Sequence, residues 1–264
     1  MRGAIFMEAA ILSDMAETLH IATYNIHKGF SQFNQRMMLH ELKDQLHLMR
    51  PDLIFLQEVH GEHTGHAIRH SNWPEEPQYE FLADQLWQDF AYGRNAVYPK
   101  GHHGNAILSK YPITKWENID ISTHQLESRG LLHCEVSIPG WKDNLHCVNV
   151  HLSLDARGRK KQLTAIRDRI QAMVPPSAPL IIAGDFNDWR IKAGEFLARS
   201  LHVHEVFEHL HGSSAKSFPA AMPMLRLDRI YFRGLKVKSA KVYHGRPWSR
   251  ISDHAALAAT MSRV

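Results

Sequence analysis

Side chains of the kinds that hold cations and move protons recur in this chain where apolar runs stop. LIIAGDFN (180–187) ends in Asp185 and Asn187, IATYNIH (21–27) in Asn25 and His27, LIFLQE (53–58) in Glu58, and CVNVH (147–151) in Asn149 and His151. RLDRIYF (226–232) carries Asp228 near its start, and SDH (252–254) places Ser252, Asp253 and His254 together near the C-terminus. Strand parity puts Asn25 with His27, and Asn149 with His151, on shared faces. Burying one such group without a partner is costly, and an unpaired carboxylate costs most. A lone aspartate at a strand end is commonly a turn former or helix cap, and Asp185 before NDWRIKAGEF could serve so. Repetition at strand after strand points instead to a shared ligand. Carboxylates with carboxamides suit a hard cation such as Mg²⁺.

The elements that must position these groups are short apolar runs at 19–26, 52–59, 104–109, 131–138, 145–152, 180–187 and 226–232. Several are continuous and apolar, as in strands covered on both faces. The runs at 131–138 and 145–152, joined by PGWKDN, predict an antiparallel hairpin with a longer turn. A helix is expected over 34–49, with Met38, Leu42, Leu46 and Met49 on one face and Pro51 stopping it. Another is expected over 155–173, with Leu163, Ile166, Ile170 and Met173 on one face, and further helical turns near 79–89 and 192–200. Strands interspersed with helices imply one α/β domain with more than one buried sheet layer.

The chain has 264 residues, 44% hydrophobic and 22% charged, which fits a globular protein and excludes disorder. A net charge of +4 suits a phosphate-bearing partner without requiring one. RGRKK (157–161) and RPWSR (246–250) are too short for nucleic-acid tails. The twenty histidines look scattered, not gathered into a metal-binding tract. Cys134 and Cys147 fall in neighbouring strands, too few for a disulfide framework, and a reducing cytoplasmic location is expected. No run is long enough to span a bilayer. Residues 1–18, with Glu8, Asp14 and Glu17 among apolar positions, form an expected N-terminal extension compatible with weak membrane-surface contact, ahead of a catalytic domain at 19–264. No protein partner can be inferred.

Taken in order, TYNIHKG (23–29), LQEV (56–59), GNAILSKYPI (104–113), VNVHL (148–152), GDFN (184–187), LDRIY (227–231) and SDH (252–254) resemble the motifs of the endonuclease/exonuclease/phosphatase superfamily. They span residues 20 to 258, and each alone is weak. HKGF, the stretch WPEEPQYEFLADQLWQDFAYGRNAVYPKGHHGNAILS and GDFNDWR resemble its YbhP-like bacterial branch more narrowly. The resemblance implies a four-layer α/β sandwich, two mixed β-sheets packed face to face with helices outside, and an active site where strand ends meet at one edge.

It also implies roles. Glu58 is the expected principal metal ligand with Asn25 beside it, and Asp253 an outer or second metal contact. Asp185 orients and deprotonates the attacking water, and Asn187 holds that water or a phosphate oxygen. His254 stabilises charge on phosphorus, while Asp228 fixes its imidazole. The cation is Mg²⁺, with Mn²⁺ an alternative because His27 stands where many nucleases carry aspartate. His151 stands where the family's DNA-repair nucleases carry tyrosine, which favours sphingomyelinase-like or phosphatase chemistry. Arg129 could grip a phosphate or form a surface salt bridge. His103 and Asn105 line the cleft rim, with strand capping the rival role for Asn105. Trp73 and Trp189 could offer apolar surface, whereas Trp87 belongs in the core. The expected activity is a Mg²⁺-dependent phosphoesterase, chiefly a phosphodiesterase, acting on a small or lipid-linked phosphoester. A DNA or RNA nuclease is the alternative, and a non-catalytic binding protein on the same fold the third reading. Specificity should lie in the loops at 60–78 and 211–225.

Overall fold

The apolar runs become strands packed on both faces. The computed structural model describes residues 18–32, 35–125, 127–190 and 192–264. Its strands are β1 (Thr18–Asn25), β2 (Leu53–His63), β3 (Asp89–Tyr98), β4 (Gly101–Ser109), β5 (Ile113–Asp120), β6 (Gly130–Val136), β7 (Leu145–His151), β8 (Leu180–Asp185), β9 (His204–Glu205), β10 (Asp228–Arg233), β11 (Leu235–Tyr243) and β12 (Ala256–Arg263). One six-stranded sheet runs β11-β12-β1-β2-β4-β3 and the other β5-β6-β7-β8-β10-β9. Each is mixed: β1 pairs parallel to β2, and β7 parallel to β8, within otherwise antiparallel ladders.

The period of two distributes each strand between two cores. Leu53 and Phe55 of β2 meet Ile181 and Ala183 of β8 between the sheets. Leu180 and Ile182 turn outward against Leu163, Ile166 and Ile170 of α4 (Ala156–Met173). Ile54 and Leu56 turn outward against Leu42 and Leu46 of α1 (Leu39–Met49). The expected four-layer sandwich is therefore present. Asp155 caps α4 by accepting from Gly158 N at 2.8 Å. Helix α1 ends on Arg50 in the left-handed conformation, one residue before Pro51.

Shorter helices are α2 (Thr64–Arg69), α3 (Gln78–Ala83), α5 (Lys192–Leu201), α6 (Val206–His211) and α7 (Trp248–Ile251). Helical turns expected over 79–89 stop at Ala83, because Asp89 already opens β3. The hairpin of β6 and β7 is antiparallel as expected, with Cys134 opposite Cys147, both free and buried. Trp87 is in the core. Of the expected N-terminal extension, residues 1–17 lie outside the described residues, and Thr18 begins β1, paired with Ser262. Among the described residues no helix is long and apolar enough to cross a membrane.

Candidate active site

Five strands from both sheets, with the SDH segment, deliver polar side chains to one edge. Strand β8 reaches it through Gly184, whose φ is 141°; a Cβ there would lie 1.9 Å from Val150 O, so only glycine lets β8 close on β7. The next residue, Asp185, sits opposite His151 of β7 and Asp228 of β10 in register. Asp185 Oδ1 accepts from Asn187 N at 2.9 Å. Its Oδ2 accepts from Asn25 Nδ2 at 3.2 Å and lies 3.5 Å from His151 Nε2 and 3.8 Å from His254 Nε2. His254 Nδ1 is 2.9 Å from Asp228 Oδ2, and Phe218 packs on the ring.

The first sheet supplies Asn25 at the end of β1 and Glu58 within β2. Strand β2 does not stop at Glu58 as its sequence suggests; it bulges between Leu56 and Val59 and continues to His63. Glu58 has φ 57°, and His27, Lys28 and Asn187 are also left-handed. Among the described residues the other non-glycine ones of that kind, Arg50, Gln85 and His202, follow helices α1, α3 and α5. Strain is thus either at a helix exit or at this edge, where it re-aims functional side chains.

His27 leaves the strand geometry that parity assumed. It lies in a 3₁₀ turn (His27–Gly29), its N–H donates to Asn25 Oδ1 at 3.1 Å, and its Nδ1 is 3.4 Å from Asp253 Oδ1. Lys28, which motif reading passed over, places Nζ 3.8 Å from Glu58 Oε2. Ser252 donates its hydroxyl to Asn25 O at 2.7 Å and accepts from His254 N at 3.2 Å, tying the end of β1 to the SDH segment, which His254 joins to Asp228 of the second sheet.

Charges at the edge are strongly perturbed. Burial alone would raise the Glu58 carboxyl, but His151, Lys28, His27 and His254 outweigh it and hold it down at about 2. Burial lifts Asp185 above the ordinary carboxylate range; His254 opposes this and Asp228 adds to it. Burial would strip the proton from His254, yet the Asp228 and Asp185 carboxylates prevail and retain it. Burial, reinforced by Arg129, keeps His151 unprotonated. The edge therefore offers an acceptor carboxylate, an imidazolium and a neutral imidazole within one small space.

Not every residue singled out by sequence opens onto this space. Asn149, on the same strand face as His151, is buried between the sheets; it donates to Leu56 O and Ala106 O and accepts from Gln57 Nε2. Asn105 donates to Gly130 O at 3.2 Å across the sheets, a structural contact. Asn187 has one amide hydrogen on Leu152 O at 2.9 Å. Arg129 lies 3.7 Å from Glu127 Oε1, and its Nε has no hydrogen-bond partner. With His103 it lines an open groove beside the edge. The expectation that the histidines are scattered is corrected: His60, His63 and His66 bring ring nitrogens within 4.8 Å of one another. The chain does this by continuing β2 to His63 and turning at once into α2, which spacing alone does not disclose.

Asp185, Asp228 and His254 bring ligand-capable atoms within 4.8 Å of one another, and the Glu58 and Asp253 carboxylates and Asn25 amide at the same edge add oxygen donors of the kind a hard divalent cation takes. Asp228 Oδ1 is buried without a donor, an open acceptor in that set. The residues thus fit the group expected.

Comparison with known proteins follows the same outline. The model of the Endonuclease/Exonuclease/phosphatase family matches residues 22–254. YbhP of Escherichia coli strain K12 is 45% identical over 239 residues, covering 90% of this chain and 94% of that protein. A UPF0294 protein of Yersinia pestis is 38% identical over 118 residues, 43% of this chain and 39% of that one. An endonuclease/exonuclease/phosphatase from Beutenbergia cavernae superposes with a TM-score of 0.73 at 19% identity, covering 94% of this chain and 72% of that one. TDP2 of D. rerio, complexed with a single-strand DNA product, superposes with a TM-score of 0.70 at 22% identity, covering 93% and 99%.

Proposed function

The chain belongs to the endonuclease/exonuclease/phosphatase family of phosphoester hydrolases, and from that premise we propose that it is a Mg²⁺-dependent phosphodiesterase acting on a small or lipid-linked phosphoester. The observation that carries this reading is the convergence of Asn25, His151 and His254 on Asp185 Oδ2, with Asp228 behind His254. Asp185 takes a proton from water as that water's oxygen bonds to phosphorus in line with the departing oxygen. Asn25 and the Asn187 backbone hold the Asp185 carboxylate in place. The His254 imidazolium, kept charged by Asp228, donates to a non-bridging oxygen, and neutral His151 offers a second N–H there. Glu58 and Asn25, with Asp253 farther out, would hold the cation. When bound, it supplies positive charge that offsets charge growing on the phosphoryl oxygens and favours ionised Asp185.

The apolar rim supports a lipid-linked substrate. Leu154 and Trp189 follow β7 and β8 at the catalytic edge, and Met222, Met224 and Leu225 precede β10 on the segment whose Phe218 touches His254. All five are exposed, between 40% and 67%. Solvated apolar groups around a charged cleft suit an amphiphile. The second reading, a nuclease, draws on the single-strand DNA product held by D. rerio TDP2.

The test is product release from a phospholipid headgroup diester and an abasic-site DNA duplex, both with Mg²⁺ and with an Asp185→Asn protein as blank. Headgroup release absent from the blank is expected. DNA cleavage that vanishes in the blank, without lipid cleavage, would make the chain a nuclease.

A further inference from the structure

Beyond the bulge at Glu58 the chain builds a second cluster that the phosphoesterase reading does not use. His60 is 1% exposed. Its Nδ1 lies 3.1 Å from Tyr98 Oη, and its Nε2 is buried with no hydrogen-bond partner. His66 Nδ1 is likewise buried and unpartnered. His63 lies between them, its ring centroid 4.9 Å from that of His60 and 3.7 Å from that of His66. One ligand-capable nitrogen from each of the three falls within 4.8 Å of the others. Buried imidazole nitrogens normally find a partner. Two buried unpartnered nitrogens, in a trio at i, i+3 and i+6 whose rings bring ligand-capable atoms together, offer lone pairs to an electron-pair acceptor.

We propose that His60, His63 and His66 form a second metal site, separate from the catalytic edge, that takes a borderline divalent cation of the zinc class. Imidazole nitrogens suit Zn²⁺, Co²⁺ or Ni²⁺, whereas Mg²⁺ prefers oxygen. The surroundings agree. Tyr98 Oη, 3.1 Å from His60 Nδ1, is placed to accept an Nδ1–H, the tautomer that leaves Nε2 free for a cation, as outer hydrogen bonds do for ligating histidines. Phe30 and Trp73 pack against His66 with centroids 4.8 and 5.0 Å away, limiting solvent on one side. His63 Nδ1 accepts from His66 N at 3.0 Å, so coordination through that atom exchanges the α2 cap for a metal bond. His103, opposite His60 in the β2–β4 register, closes the flank nearest the cleft. A cation here joins the end of β2 to α2 and braces the rim loop beside Glu58.

The experiment uses the full chain with millimolar Mg²⁺ present throughout. Zn²⁺ is titrated by equilibrium dialysis, and Co²⁺ is followed by its visible d–d absorption. Wild type, His66→Gln, His63→Gln/His66→Gln and Glu58→Gln are compared, with circular dichroism in chelator confirming that each is folded. Wild type should take up one Zn²⁺ and give a Co²⁺ band. The double variant should bind more than about 100-fold more weakly, since losing even an outer partner costs about 10–100-fold. His66→Gln, which keeps the His63 cap, should fall between, and Glu58→Gln should bind as wild type does. Wild-type affinity in the double variant, loss of binding in Glu58→Gln, or no uptake by wild type at micromolar Zn²⁺ would each overturn the proposal.

Discussion

Asn149 and Asp185 belong to paired strands of one sheet, lie within two register positions of each other, and have opposite tasks. Asn149 places both amide hydrogens on the other sheet, at 2.9 Å to Leu56 O and 2.8 Å to Ala106 O, and its Oδ1 receives Gln57 Nε2 at 2.8 Å. Its needs are met inside the chain, and the result is a tie between sheets. At the edge, contacts to Asp185 stretch to 3.5 and 3.8 Å, Asp228 Oδ1 has no donor, and the backbone is strained at Glu58 and Asn187. Polar groups satisfied within the chain hold the fold. Polar groups left short and convergent are reserved for a ligand.

The strongest way to break this comparison is to exchange its members. Asp185→Asn keeps shape and hydrogen-bonding reach but removes the proton acceptor, so turnover should fall about 10²–10⁴-fold. The unfolding midpoint should hold or rise, because burial already opposes the charged form. Steady-state rates beside urea melts at pH 8 check both halves, and a midpoint that drops with the rate would move Asp185 into the structural class.

Asn149→Ala should do the reverse. It takes the Asn149 donors from the buried Leu56 and Ala106 carbonyls, while Gln57 Nε2 keeps Thr23 Oγ1 and Phe55 O, a loss of about 2–6 kcal/mol at roughly 1–3 kcal/mol per unsatisfied group. Turnover per folded molecule should stay within about threefold of wild type, since no reacting group is touched. Denaturant unfolding paired with active-site titration separates the two effects. An unchanged midpoint would mean that the inter-sheet tie contributes little.

Asp228→Asn sharpens the comparison within the edge itself. Asp228 is the chief reason His254 keeps its proton despite burial, with a pKa pushed up to about 10. A raised histidine contributes stability that is complete below its unfolded pKa near 6.5 and is lost as pH rises through about 10. Removing the carboxylate should shift the alkaline limb of the pH–rate profile toward acid by about two pH units and flatten the stability curve over the same window. Profiles of kcat/KM from pH 6 to 10.5 test this, and an unmoved limb would assign that limb to another group.

These contrasts explain how far the sequence could be read. The buried strands were legible because β7 and β8 are apolar without interruption, and their terminal acids and imidazoles stand out against that background. Strands β3 and β5 were not. Gly93, Arg94 and Asn95 break the alternation of β3 at a register shift, and β5 is a sheet edge with exposed Lys115 and Trp116. Strand β11 (LKVKSAKVY) is broken up by lysines and β12 (ALAATMSR) is alanine-rich, so neither has a distinctive run. At the site, motif order picked out Asp185, His151, Asp228 and His254, which the fold brings together. Parity put Asn149 on the face of His151, as the structure does, but local spacing cannot say whether a side chain there meets the other sheet or open space. The bulge at Glu58, the turn at His27 and the gathering of His60, His63 and His66 depend on backbone detours that no periodicity encodes.

Glu205 supplies the control that keeps perturbed ionisation from standing in for function. Like Asp185 it is a buried carboxylate, and burial pushes it up to about 7 against the opposing Glu208 N–H and Arg229. Its contacts, though, are structural: one oxygen caps α6 by accepting from Glu208 N at 2.8 Å, while Glu208, His204 and His209 line the same pocket without a hydrogen bond from an imidazole or carboxylate converging on it as His151 and His254 converge on Asp185. A raised acid favours the protonated folded form, so stability is full below the unfolded pKa near 4.5 and declines as pH rises to about 7. Glu205→Gln should therefore gain about 3 kcal/mol over wild type at pH 8, at roughly 1.4 kcal/mol per pH unit, and almost nothing at pH 4, with turnover unchanged. Urea unfolding at the two pH values measures the difference. A gain of equal size at both would assign the effect to packing or capping and leave the carboxylate's charge without influence there.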